Sequence, residues 1–245
     1  MKSFARWLVV CALAFVLLQL FFVLRIAAMA WIAPQSTAFQ RSEIWRIASE
    51  NHRLPWDQEW VPYEQISPHL KRAVIASEDD AFASHDGVDW DALQKARERN
   101  AKAEARAEQR AIQSKDGKPP KPPKIIGGST ITQQLAKNLL LSGERTLIRK
   151  GQELVLTLLL EHLLDKRRIL EIYLNNVEWG EGVFGAQAAA QHYYRKPAAK
   201  LNAYEAARLA VMLPRPRYFE KNLGSAYLSN RASVIVARMP DAELP

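Results

Sequence analysis

Between Trp7 and Leu24 the chain carries no charge and a single strongly polar side chain, Gln19. A run of this kind cannot lie on the surface of a water-soluble domain, so it fixes the N-terminal architecture before anything else. Its eighteen residues, rising about 1.5 Å each, make a helix of roughly 27 Å, close to the hydrocarbon thickness of a bilayer. A second apolar piece, Ile26 to Ala33, follows Arg25. A cleaved secretory signal is the alternative, because Ala28-Met29-Ala30 resembles a small-residue cleavage site. The run exceeds a signal core of about 7–15 residues, and Arg25 stands before the would-be cut, so an uncleaved anchor is favoured. Lys2 and Arg6 precede the run and place the N-terminus in the cytoplasm, although Arg25 weakens the asymmetry.

At 245 residues the chain allows one or two domains and a good core. The only cysteine, Cys11, lies inside the apolar run, which excludes disulfides and cysteine-built metal sites from the rest. A net charge of +8 suits a phosphate-bearing partner, nucleic acid or the anionic face of a membrane. An anchored chain favours lipid phosphate. Residues 95–124 are a separate case: helix-forming residues without an apolar stripe lead into the basic, proline-rich DGKPPKPPK. This reads as a solvated helix or disordered excursion, with lipid headgroups favoured over nucleic acid as any partner.

The remaining pattern predicts a mainly α fold. Residues 34–66 show no clear periodicity. Ser67 and Pro68 open a helix ending near Asp80, with Leu70, Ala73, Val74 and Ser77 on one face. Thr130-x-x-Gln133 is a capping-box pattern, with Ile131, Leu135 and Leu139 as its stripe. A second helix runs from about Thr146 to Leu164, apolar nearly all round from Leu154, as expected at the centre of a domain. Lys166–Asn175 continues helical, and Gly180, Gly182 and Gly185 make a loop. Helices follow through Ala188–Tyr194, from the Asn202-x-x-Glu205 cap to Pro214, and over Ser229–Met239.

Two places concentrate chemistry. Glu78 lies in the last turn of its helix beside Asp79 and Asp80, where the helix dipole and like charges both disfavour ionisation. Taken alone, that cluster reads as an acidic surface turn, and His85 nearby as a hydrogen-bonding residue that could orient a carboxylate or bind a metal. The stretch Gly127–Glu153 is more specific. Gln134, Lys137 and Asn138 share a helix face distinct from the apolar one, and suit sugar hydroxyls and phosphate oxygens. Arg145, Arg149 and Glu153 recur every four residues on the next helix, and a carboxylate entering an apolar run needs a partner or a role.

Glu78-Asp79-x-x-Phe82-x-x-His85-x-Gly87, GGSTITQQLAKN at 127–138, Arg149-Lys150-x-x-Glu153 and Lys166-x-x-Ile169-Leu170-Glu171-x-Tyr173-Leu174-Asn175 together resemble successive motifs of the peptidoglycan glycosyltransferases. These include the glycosyltransferase domain of class A penicillin-binding proteins; Arg231 with Arg238-Met239 is a weaker final match. No penicillin-binding segment follows, so the similarity is to the monofunctional members. The long basic stretch 95–124 departs from the shorter connection expected there, and Asp165 has no assigned effect.

The resemblance implies a lysozyme-like helical domain at 34–245, outside the bacterial inner membrane in the periplasm. Residues 1–6 would be cytoplasmic and 7–33 the anchor and interfacial segment. It implies polymerisation of lipid II with loss of undecaprenyl pyrophosphate. Glu78 would be the general base and Glu153 the second glutamate, able to hold a divalent cation, magnesium or manganese; no organic cofactor is implied. Lys137, Arg145 and Arg149 would stabilise pyrophosphate, with Gln134 and Ser129 positioning substrate and Asp79, His85 and Asn138 as secondary candidates. The membrane and other cell-wall synthesis or division proteins are the implied partners, without nucleic acid. A lysozyme-like lytic enzyme and a non-catalytic membrane adaptor are the competing functions. Glu78 and Glu153 are expected to face each other across one cleft.

Overall fold

A computed structural model of the chain describes residues 2–51, 55–113, 127–141, 143–144 and 146–245. Arg145 and residues 114–124 of the basic excursion lie outside them. Helix α1 spans Lys2–Ala28 without a break at Arg25. Its first five turns are exposed, as an apolar helix is when its solvent is lipid, and it is long and apolar enough to cross a membrane. Its last turns are different. Phe22, Ile26 and, just past the helix, Met29 are buried in the main core, so the segment that begins at Ile26 packs against the domain. Trp31 and Ile32 alone remain exposed there.

Helix α2, Ala38–Asn51, falls in the stretch that shows no periodicity. Its start does carry a signal: Thr37 Oγ1 accepts from Gln40 N and Gln40 Oε1 accepts from Thr37 N, a reciprocal cap. Strand β1, Asp57–Gln58, follows. Helix α3, Pro68–Glu78, starts at Ser67, whose side chain accepts from His69 N; Leu70, Ala73 and Val74 are buried as expected. Helix α4, Trp90–Gln113, is the solvated helix, with Ala96 buried against the domain. Helix α5, Ile131–Leu140, has the expected capping box and buried stripe.

Helix α6, Leu147–Leu163, is capped by Thr146. It is not central. Leu156, Thr157 and Leu160 are buried, while Leu147 and Ile148 at its start are 91% and 87% exposed and Val155 and Leu158 are nearly half exposed. The outer side adjoins α1, where Gln19 and Gln152 exchange amide hydrogen bonds in both directions.

Helix α7, Lys166–Asn176, is capped by Asp165, which accepts from Arg168 N; that is the effect missing from the sequence reading. The glycine loop is a small sheet instead. Strands β2 (Glu178–Gly180) and β3 (Val183–Phe184) form a hairpin, and β1 pairs parallel with β3 to give the order β1-β3-β2. Gly182 turns the hairpin at φ +75°, where a Cβ would sit 2.0 Å from Pro55 O. Helices α8 (Ala186–Tyr194), α9 (Ala203–Met212, capped by Asn202 and Glu205), α10 (Pro216–Glu220) and α11 (Ala226–Arg238) complete the chain. The last starts three residues before Ser229, because Ser225 is its cap. Helices α3, α9 and α11 form one packed group, and α5 packs on α2, α6 and α7. The ends of α3 and α5 meet between these groups.

Candidate active site

That meeting point is built around Asp79, the C-cap of α3. Its Oδ2 accepts from Ile131 N, the first residue of α5, at 2.9 Å, and its Oδ1 accepts from His85 Nε2 at 2.9 Å. Gly87 N donates to His85 Nδ1, which leaves the ring proton on Nε2, facing Asp79. Gly87 itself sits at φ +86° with Thr157 and Glu161 inside 3 Å of any added Cβ, and its carbonyl accepts from Thr130 Oγ1. Asp79 and His85, secondary candidates by sequence, thus bolt the end of α3 to the start of α5. Asp80 points outward and pairs with Arg238 at 3.0 Å. The acidic turn is therefore half surface and half framework.

Glu78, at the last position of α3, is left facing Gln134 of α5, whose Nε2 donates to Glu78 Oε2 at 3.1 Å. Burial is the main influence on this carboxyl and raises its pKa above the ordinary glutamate value; Gln134 opposes the rise and Asp79 adds to it. The expected direction is right and the expected like charge of Asp79 contributes to it, but burial, which the sequence reading did not weigh, is the larger cause. Glu78, Ser129, Lys95, Arg99 and Arg238 line a cavity of about 280 Å³.

A larger cavity, about 840 Å³, adjoins it across Ser129. Gln134, Lys137 and Asn138 line one wall and Arg149, Lys150 and Glu153 another, so the amide-and-ammonium face of α5 does meet the start of α6. Arg41, Ser42 and Glu43 of α2 close the third side. Glu78 thus lines the smaller cavity and Glu153 the larger; the two adjoin at Ser129, and Gln134 of the larger one reaches across to Glu78. Glu153 is buried, with Oε2 accepting from Arg149 at 2.7 Å and Oε1 paired to Lys150. The Nε of Arg149 is buried without a hydrogen-bond partner.

Sequence reasoning left Lys150 and the whole α2 wall out of the site. There Arg217 bridges Glu178 and Glu43, and Arg46 pairs with Glu43, Glu50 and Glu181, which ties α2 to the hairpin. The Thr37–Gln40 cap is the signal that could have found this wall. The cation expected at Glu153 meets a poor donor set. Both carboxylate oxygens are taken by cationic side chains, and the described residues contain no group of three acidic, histidine or cysteine side chains able to share a metal.

The sequence profile of the transglycosylase family matches residues 47–240, from α2 through the last helix. The chain belongs to the transglycosylase family. Among curated proteins it is similar to the biosynthetic peptidoglycan transglycosylase of Herminiimonas arsenicoxydans, 51% identical over 100% of this chain and 99% of that protein. The proteins of the same name from Burkholderia thailandensis (52%, 100% of this chain, 90% of theirs) and Burkholderia orbicola (51%, 99% and 94%) are comparably close. A transglycosylase transfers glycosyl units, so the chain is an enzyme with a helical catalytic domain behind one apolar N-terminal helix.

Proposed function

We propose that this transglycosylase polymerises lipid II into β-1,4-linked glycan at the outer face of the bacterial inner membrane, in cell-wall synthesis. The observation that carries the reading is the junction of the two cavities: a half-buried glutamate on one side of Gln134 and a cation-lined chamber on the other. The smaller cavity takes the acceptor. Glu78 accepts the proton from the sugar 4-hydroxyl, and that oxygen attacks the anomeric carbon of the donor. The bond from that carbon to the phosphate oxygen breaks with inversion, and its electron pair leaves on undecaprenyl pyrophosphate.

The larger cavity suits that leaving group. Lys137, Arg149 and Lys150 stand where negative charge accumulates, and a buried Arg149 Nε–H without an acceptor is a donor in want of one. Glu153 keeps Arg149 and Lys150 gathered, which makes it a holder of the cationic wall. A lytic enzyme of similar fold has no use for such a wall. Helix α1 supplies the anchor, with Lys2 and Arg6 inside, and the exposed apolar side of α6 adjoins the same bilayer.

Incubating the full chain with lipid II in detergent tests the proposal. Wild type should release undecaprenyl pyrophosphate and form polymer, and Glu78→Gln should lose activity by about two to four orders of magnitude, the usual size of a general-base contribution. Cleavage of preformed glycan without polymer, or a Glu78→Gln enzyme at the wild-type rate, would overturn it.

A further inference from the structure

The amide of Gln134 has two neighbours, and the second is not part of either cavity wall. Tyr173 of α7 is 1% exposed and donates its hydroxyl to Gln134 Oε1 at 3.0 Å. This is the only hydrogen bond of that hydroxyl among the described residues. We propose that Tyr173 is a positioning residue of the transfer reaction: by donating to Gln134 Oε1 it holds the amide with its NH2 toward Glu78. The inference rests on Glu78 being the base.

The geometry makes the two contacts interdependent. An amide has a donor end and an acceptor end and turns as a unit. Rotated by half a turn, Gln134 would aim its carbonyl oxygen at Glu78, which an ionised carboxylate repels and only a protonated one tolerates. It would also aim NH2 at Tyr173, whose own O–H would then lack an acceptor in a buried site, a costly arrangement. Tyr173 stays a donor at every working pH, because burial, and then the charge of Glu78, raises its pKa well above the ordinary tyrosine value. One fixed hydroxyl thereby selects the amide orientation that suits the ionised base.

The charges facing Glu78 are otherwise accounted for. Asp79 is held by His85 and Ile131, Asp80 is paired with Arg238, and Asp89 caps α4 through Ala92 N. Lys95 and Arg99 of α4 border the same cavity from its exposed side. Tyr173→Phe leaves all six in place and removes only the hydroxyl.

The test is the pH dependence of kcat/KM for lipid II polymerisation by the full chain. In Tyr173→Phe the acidic limb should move up by about one pH unit. That is roughly a tenfold loss on the limb with little change on the alkaline plateau, as expected from weakening one charge-assisted hydrogen bond. In a Gln134→Met background the same tyrosine change should produce no further shift. If that enzyme is too slow to assay, a carbon-13 titration of the Glu78 carboxyl gives the same comparison. An unmoved limb in Tyr173→Phe overturns the inference. So does a uniform loss at all pH values with a lowered Tm, the mark of a structural role, or an equal shift without the Gln134 amide. Wild-type protein that makes no polymer defeats the function itself and this inference with it; a normal wild type with an unmoved variant defeats only the inference.

Discussion

At the end of α3, Glu78, the proposed base, carries opposite consequences for stability and for the proposed catalysis. Its pKa is raised in the folded state, chiefly by burial, so the folded protein binds this proton more tightly than the unfolded chain does. Stability therefore falls as pH rises through the ordinary glutamate value toward the folded one, and above both the charge is a standing cost. Glu78→Gln removes that cost and keeps the shape. We expect it to raise Tm at pH 7, by about 2–4 °C for each kcal/mol recovered, with the gain shrinking as pH falls from the raised folded value toward 4.5 and absent below it. Thermal scans of both proteins at pH 4 and pH 7 would show it, and an equal difference at both values would refute it. The variant that the proposal expects to lose activity should be the more stable one, the expected signature of strain kept for function. The proximity of Glu78 to Asp79 was legible because adjacent residues need no fold to meet. Gln134 and Tyr173 are 39 positions apart, and only the packing of α5 on α7 brings them together.

Among the elements, α5 is the one most dependent on its first turn. Thr130 accepts from Gln133 N and also donates to Gly87 O, so one hydroxyl caps the helix and ties it to the turn after α3. Thr130→Ala should cost about 1–3 kcal/mol, a cap plus a buried hydrogen bond, measured as a lower urea midpoint at unchanged slope. A loss of activity larger than the stability loss explains would follow, because the cap also sets where Gln134 faces. Caps were the most readable part of this chain: Ser67, Thr130 and Asn202 all act where their spacing put them, and Thr146, read as the start of its helix, proves to be its cap. Helix α2 was missed because its short apolar pattern is weak and its charges pair with the hairpin, a tertiary arrangement. Helix α6 was read as central because an apolar run does not say whether protein or lipid surrounds it.

For the whole molecule, the question is where the membrane segment stops and the enzyme starts. Phe22, Ile26 and Met29 are buried in the same core as the catalytic helices. Burying a side chain of this kind is worth about 1.5–3 kcal/mol. Removing residues 1–20 should then leave a cooperatively folding enzyme, while removing residues 1–33 should lower the unfolding free energy by roughly several kcal/mol, and the urea midpoint with it, and expose apolar surface. Urea unfolding of the two truncations in mild detergent separates them, and equal midpoints would refute the prediction.

The reciprocal pair between Gln19 and Gln152 adds a consequence of its own. Gln152 directly precedes Glu153, so the contact joins the anchor to the wall of the larger cavity within one residue. An enzyme on a flexible leash samples every height and tilt above its bilayer. With α1 in a bilayer as proposed, the helix acts as a strut and the altitude of the cavity becomes a constant of the fold. The proposed lipid-linked substrate would then meet the site by lateral drift, at one fixed depth.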